Sequence, residues 1–297
     1  MNLSQPTIPG ADPMPRAPRE ALPAGACDSH AHLFGPQEHY PYQHIRSYTP
    51  PEASEASYRR LLHTLGFQRA VLVQPSVYGT DNRLMLDTLA RQRPDDAIEW
   101  RGVAVVNAAI TDAELQHMDR LGVRGVRVNL VFPGGVEFSD IEALSRRIAE
   151  LGWHVQFLLD VSRFEDLAGK LGRLPTPVVI DHMGHLPAHK GTTEPGFAAL
   201  LKMLDNGKAW VKLTGPNRIS AHQRAPYQDV DPLFLALVEA NSEHCIFGTD
   251  WPHVQLPTPI PNDGELVDEL LRLLPSAALR QRILVDNPAR LYGFAPS

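Results

Sequence analysis

Eight short apolar runs recur along this chain of 297 residues, and a stretch with helical spacing follows each of them. The runs lie near 26–32, 69–75, 101–106, 123–130, 154–160, 177–182, 209–214 and 245–249. Between them lie 52–65, 82–93, 112–121, 140–151, 164–171, 196–206 and 230–241, many of which carry apolar residues at spacings of three and four, as in Leu61, Leu62 and Leu65. Strand and helix in regular alternation build a parallel sheet, and eight such units predict an α/β fold, a distorted (β/α)8 barrel of ordinary length. Turn chemistry agrees. Asp81, Thr111 and Ser139 are candidate N-caps, with Glu114 at capping-box distance from Thr111; Gly66, Gly122 and Gly152 stand where C-terminal caps belong. Closing helices are expected over 264–274 and 277–285. The first 24 residues hold six prolines, so 1–24 reads as an irregular arm and 25–297 as a single barrel domain.

Composition narrows the function. Forty-three per cent hydrophobic residues supply a large core, and a net charge of −6 without a basic tract argues against nucleic acid as partner. No apolar stretch approaches the roughly 20 residues of a membrane span, and the proline-rich start lacks the continuous apolar segment of a secretory signal. Two cysteines, Cys27 and Cys245, are the usage of a cytoplasmic protein. Both are expected to be reduced, buried and turned outward towards helices.

The chemistry collects at the ends of the predicted strands, which is where barrel enzymes place their sites. Asp28-Ser29-His30-Ala31-His32 ends the first run; strand alternation predicts Asp28, His30 and His32 on one face and Ser29 and Ala31 on the other. Asp181-His182-Met183-Gly184 ends the sixth run, and Gly248-Thr249-Asp250-Trp251-Pro252-His253 the eighth. Three histidines and an aspartate in such positions can bind a metal or move protons. Other strand ends contribute Gln74, Ser76, Arg127, Asn129, Gln156 and Arg218; the long first loop carries Tyr48, and His185 and His253 follow the sixth and eighth runs. Arg127 shares a face with Asn129 opposite Arg124, and an inward arginine must be paired or meet an anion.

With these motifs in place the chain resembles the amidohydrolase superfamily, in the group around 2-pyrone-4,6-dicarboxylate lactonase. Further segments carry the resemblance: Gln74-Pro75-Ser76 with Gly79-Thr80-Asp81-Asn82, Gly125-Val126-Arg127, Leu151-Gly152-Trp153-His154-Val155 and Asp286-Asn287-Pro288. The resemblance implies a barrel that opens lactones. Asp250 then activates water, His30, His32 and His182 surround the reacting carbonyl, and Tyr48, Ser76, Arg127 and Arg218 bind the anion. Gln156 stands where the group has a tyrosine, and His185 where it has an arginine. The group's second arginine after Arg127 is replaced by Val131-Phe132-Pro133-Gly134-Gly135, a stretch similar to that of lactone isomerases. Fewer fixed cations point to fewer or differently placed substrate carboxylates.

The expected reaction is therefore hydrolysis of a small anionic lactone by Asp250 acting as general base, with the imidazoles stabilising the oxyanion. Arg127 and Arg218, aided by Gln156, His185 and His253, hold the substrate. No cofactor is expected to be obligatory, although His30, His32, His182 and Asp250 form a good set for one divalent ion such as zinc. The absence of lysine over 126–130 speaks against a two-metal site built on a carbamylated lysine. Three rivals share the same residues: a lactone isomerase, a zinc-dependent decarboxylase, and a barrel that only binds. Oligomer formation is left open.

Overall fold

The computed structural model describes residues 6–130, 138–256 and 259–295. Eight strands, β1 (Cys27–Ala31), β2 (Arg69–Val73), β3 (Glu99–Ala104), β4 (Val123–Asn129), β5 (His154–Leu158), β6 (Val178–Ile180), β7 (Ala209–Lys212) and β8 (Cys245–Ile246), pair in parallel in sequence order. Ser29 N–H donates to the Phe247 carbonyl at 2.9 Å and Asp250 N–H to the His30 carbonyl at 2.8 Å, which brings the end of β8 back onto β1 and closes the barrel. Outside run α1 (Glu55–Leu65), α2 (Arg83–Ala90), α3 (Asp112–Leu121), α4 (Phe138–Ala149), α5 (Leu167–Leu171), α6 (Pro195–Asp205), α7 (Pro216–Ile219), α8 (Asp231–Asn241), α9 (Asp263–Leu273), α10 (Ala277–Gln281) and α11 (Asn287–Tyr292). The fold is the distorted (β/α)8 barrel read from the alternation. No helix among the described residues is long and apolar enough to cross a membrane.

Alternation sorts the side chains into two cores. Ala70, Leu72, Val126, Val178, Ile180 and Val211 pack with the helices, whereas Val71, Val73, Val103, Val179, Trp210 and Ile246 fill the barrel itself. Tyr292 and Phe294 join this inner cluster, and the guanidinium groups of Arg69 and Arg101 lie 5.3 and 4.6 Å from the centre of the Phe294 ring. Since Arg69 opens β2, this C-terminal segment plugs the N-terminal end of the barrel. The opposite end is left for chemistry.

Local departures have physical causes. The register of β1 against β2 slips between Asp28 and Ala31, as at a β-bulge. The extra residue breaks simple alternation: Asp28 turns outward to α1, while His30 and His32 face in. The expectation that Asp28 shares a face with the histidines is thereby corrected. Cys27 is corrected too, since it packs in the inner cluster with Val71 and Val179. Cys245 faces outward as expected, its thiol near the Leu237 and Asn241 carbonyls of α8, and both cysteines are free. Thr111 and Glu114 form the anticipated capping box. At α2 the cap is Asn82, with Asp81 accepting from Arg83 N–H, and Ser139 is the second residue of α4. Val131-Phe132-Pro133-Gly134-Gly135 lies outside the described residues. Residues 6–24 run along the barrel without helix: Thr7 bridges to Thr49, Arg16 pairs with Asp268 at 2.7 Å and Glu20 with Arg280 at 2.6 Å.

Candidate active site

The site begins with the seam between β1 and β8. Asp28, buried against α1, accepts from Tyr58 Oη at 2.9 Å, Thr249 N–H at 2.8 Å and Thr249 Oγ1 at 2.7 Å. Burial pushes its carboxyl up to about 6 against the pull of those bonds. Gly248 is needed at this seam: a Cβ there would stand 2.5 Å from His30 N. Backbone this close delivers Asp250 in the left-handed region, φ 66°, which aspartate tolerates better than most residues.

Three imidazoles converge on that aspartate. Nε2 of His30, His32 and His182 lie 3.7, 3.9 and 3.8 Å from Asp250 Oδ1. Oδ2 of Asp250 accepts from Arg218 Nε at 2.5 Å, whereas its Oδ1 and His30 Nε2 are buried without a hydrogen-bond partner among the described residues. The rings are held from behind. His32 Nδ1 donates to the Val73 carbonyl at 2.7 Å, and His182 Nδ1 meets Thr214 Oγ1 at 2.8 Å. A carbonyl can only accept, so His32 carries its proton on Nδ1 and turns a lone pair into the site.

Burial dominates the electrostatics. It lowers His32 and His182 well below the ordinary imidazole range, and takes His30 and His185 down to about 4, with Lys212 and Arg218 respectively adding to the effect. Burial acts to raise Asp250, but Arg218 and the three imidazoles outweigh it and hold the carboxyl well below its usual range. At neutral pH the site thus combines a carboxylate with neutral imidazoles.

Beneath lies a buried ionic layer. Asp181 accepts from Gln156 Nε2 at 3.1 Å and Arg127 Nε at 3.3 Å, and its Oδ1 is 3.3 Å from His30 Nδ1 and 3.8 Å from Lys212 Nζ. Its burial is offset by His30, Lys212 and Arg127, which keep it ionised. Lys212, fully buried on β7, is lowered to about 8 by burial while Asp181 pulls the other way. Neither Asp181 nor Lys212 is among the site residues expected from the sequence. The available signal was alternation: in a strand with Ala209 and Val211 outward, Trp210 and Lys212 have only the barrel interior.

Above, a cavity of about 110 Å³ is lined by Tyr48, Ser76, Arg127, Asn129, His185 and Arg218, with His32, His182 and Asp250 at its floor. The Tyr48 hydroxyl, pushed up to about 12 by burial, pairs with Ser76. Nine of the anticipated residues thus share one mouth, and His30 sits directly below them. Three do not reach it, Gln74 among them, its amide donating to the Gly79 and Asp81 carbonyls. Gln156 is fully buried and spends its amide on Asp181; His253 turns away, with Nε2 2.9 Å from Asp263 Oδ1 at the start of α9. Neither Gln156 nor His253 lines the cavity.

The donor set also suits a cation. His30, His32 and Asp250, or His30, Asp181 and His182, bring one ligand atom each within 4.8 Å of one another. Ligands bound at ~2.1 Å around a tetrahedral ion stand roughly 3.4 Å apart, so separations of 3.7–3.9 Å need little adjustment.

Comparison with known proteins gives a consistent picture. The amidohydrolase family model matches residues 27–294. A 2-pyrone-4,6-dicarboxylate hydrolase of Comamonas testosteroni is 41% identical, covering 94% of this chain and 93% of that protein. A 4-sulfomuconolactone hydrolase of Hydrogenophaga intermedia is 38% identical over 93% and 91%. The crystal structure of an Agrobacterium tumefaciens protein without ligand superposes with a TM-score of 0.83 at 31% identity, covering 94% of this chain and all (100%) of that one.

Proposed function

The chain belongs to the amidohydrolase family, and from that premise we propose that it hydrolyses a small carboxylated lactone with Asp250 as the base. One observation carries this reading: three neutral imidazoles and a carboxylate meet under a mouth lined by two arginines. That arrangement suits an anionic substrate with a polarisable carbonyl. Both named relatives are hydrolases of acidic lactones.

In the proposed reaction a water on Asp250 Oδ1 gives its proton to the carboxylate while its oxygen bonds to the lactone acyl carbon. The carbonyl electrons move onto oxygen, where N–H groups of the site receive the charge. The oxyanion then collapses, the ring C–O bond breaks, and Asp250 returns the proton to the leaving oxygen. One water is added and a second acid appears. Arg218 sets the timing. It suppresses the basicity of Asp250 by pairing with it. A substrate carboxylate that draws Arg218 away raises the proton affinity of Asp250 when substrate is present. Arg127, Tyr48 and Ser76 hold the remainder of the anion.

A divalent ion, when bound, would be held by His30, His32 and Asp250 with His182 beside them, and would supply Lewis-acid polarisation of the carbonyl. We propose that the activity does not require it, because the protein's own donors face the same oxygen. Cytoplasmic residence is part of the proposal, supported by two unpaired buried thiols.

A panel of pyrone dicarboxylates, muconolactone-type and sugar-acid lactones tests the reading, followed by ultraviolet absorbance and proton release. Ring opening with one proton released per turnover is expected for at least one class. Release of carbon dioxide that stops with chelator would replace the reading by a metal-dependent decarboxylase, and a rearranged but intact ring by an isomerase.

A further inference from the structure

The tautomer of His30 is decided by what faces its Nδ1, and two groups compete there. Lys212 Nζ lies 3.2 Å away in hydrogen-bonding geometry and also donates to the Ser29 carbonyl at 2.8 Å. Asp181 Oδ1 lies 3.3 Å away but has no hydrogen bond among the described residues. An ammonium has three N–H donors and no acceptor, so a ring nitrogen bonded to it must accept. The remaining proton of a neutral imidazole is then on Nε2, pointing at Asp250 Oδ1 3.7 Å away. His32, two residues on, is the reverse case, with a carbonyl behind Nδ1 and a lone pair in front. Histidines that ligate metals present that second pattern, donating Nδ1–H or Nε2–H to a carboxylate or carbonyl behind them.

We propose that Lys212 is a positioning residue that fixes His30 as the Nε2–H tautomer, so that His30 donates a hydrogen bond into the site and withholds its lone pair from a cation. Lys212 never reaches the cavity; it acts through His30. The placement of the donor rests on the hydrolase reading in one respect only: the oxygen that receives the bond is the lactone carbonyl. The same lysine competes for His30 Nδ1 with Asp181, the carboxylate that would otherwise turn the ring into a ligand.

Long-range ¹H–¹⁵N spectra of ¹⁵N-histidine enzyme at pH 7 test this, with His30 assigned by its disappearance in His30→Gln. The expected wild-type result is a protonated Nε2 and a bare Nδ1. A protonated Nδ1 overturns the proposal, whatever the lactone panel shows; a failed panel overturns the hydrolase reading and leaves the tautomer as the spectrum gives it. In Lys212→Met the ring is expected to invert towards Asp181, zinc affinity measured by calorimetry to rise about 10-fold or more, and kcat to fall roughly 10²-fold with KM little changed. Lys212→Gln, whose amide still donates, is expected to keep the wild-type tautomer. A folded Lys212→Met with unchanged tautomer and zinc affinity sinks the proposal; should that variant not fold, the wild-type spectrum decides.

Discussion

Around Cys27, Val71, Val103, Val179 and Ile246 the barrel is filled with apolar groups, whereas one layer higher it holds Asp181, Lys212, Arg127, His30 and Asp250. Both layers are buried to the same degree, yet they answer to different demands. In the lower layer the polar atoms are few; the His154 ring nitrogens and the Tyr292 hydroxyl have no hydrogen-bond partner among the described residues. In the upper layer nearly every charge has an opposite charge within 4 Å. A buried ion cluster is weak evidence of stabilisation, since well-packed apolar groups of the same volume often serve stability as well or better. Its presence in one layer alone says that chemistry keeps it there.

Variants that separate the layers can break this contrast. Asp250→Asn keeps volume but removes the proton acceptor, so turnover should fall roughly 10²- to 10⁴-fold with substrate binding largely intact; a near-normal kcat in ring-opening assays would refute the role of the upper layer. Asp181→Ala should leave Lys212 and Arg127 as uncompensated buried cations and cost roughly 3–5 kcal/mol in urea unfolding, with activity lost as well. If stability survives, the cluster is not held together by Asp181.

Acid should act on both layers through their imidazoles. His30 and His185 at about 4 and His154 at about 3 stand below the ordinary 6.5, so the folded state binds fewer protons than the unfolded one in that interval. Their stabilising contribution is complete above pH 6.5 and is lost as pH falls towards 4. Asp28, at about 6 against an ordinary 3.8, works in the opposite direction over its own window, as one group against all the lowered imidazoles, His32 and His182 included. The urea midpoint is therefore expected to be lower at pH 5 than at pH 7.5; the reverse order would mean that Asp28 outweighs the histidines. The smallest effect belongs to the lower layer. Ile246→Val should cost about 0.5–1.5 kcal/mol and leave kcat unchanged.

Much of this was legible in the chain. Strand order followed from apolar runs alternating with helical spacing, and the His-x-His, Asp-His and Asp250 segments were placed by the rule that chemistry gathers at strand ends. Alternation also set Arg127 inward, where Asp181 meets it. What escaped was whatever a period of two cannot carry. The bulge in β1 swaps the faces of Cys27 and Asp28 relative to His30, and nothing in Cys27-Asp28-Ser29 announces it. Lys212 reads like an ordinary surface lysine until both faces of β7 are known to be covered. Gln156 and His253 occupy the right segments, but Asp181 and Asp263 claim them, and those pairings depend on contacts between distant segments.

The plug of Tyr292 and Phe294 makes the catalytic chamber a vessel with one door. Lactone, water and ring-opened acid must all pass through the mouth framed by Tyr48, Arg127 and Arg218, in turn rather than in procession. For the proposed hydrolase the departing acid carries one more negative charge than the lactone waiting outside, and it leaves past the same arginines that drew the lactone in. Release of product, and competition by product as it accumulates, are therefore built into the traffic of this enzyme.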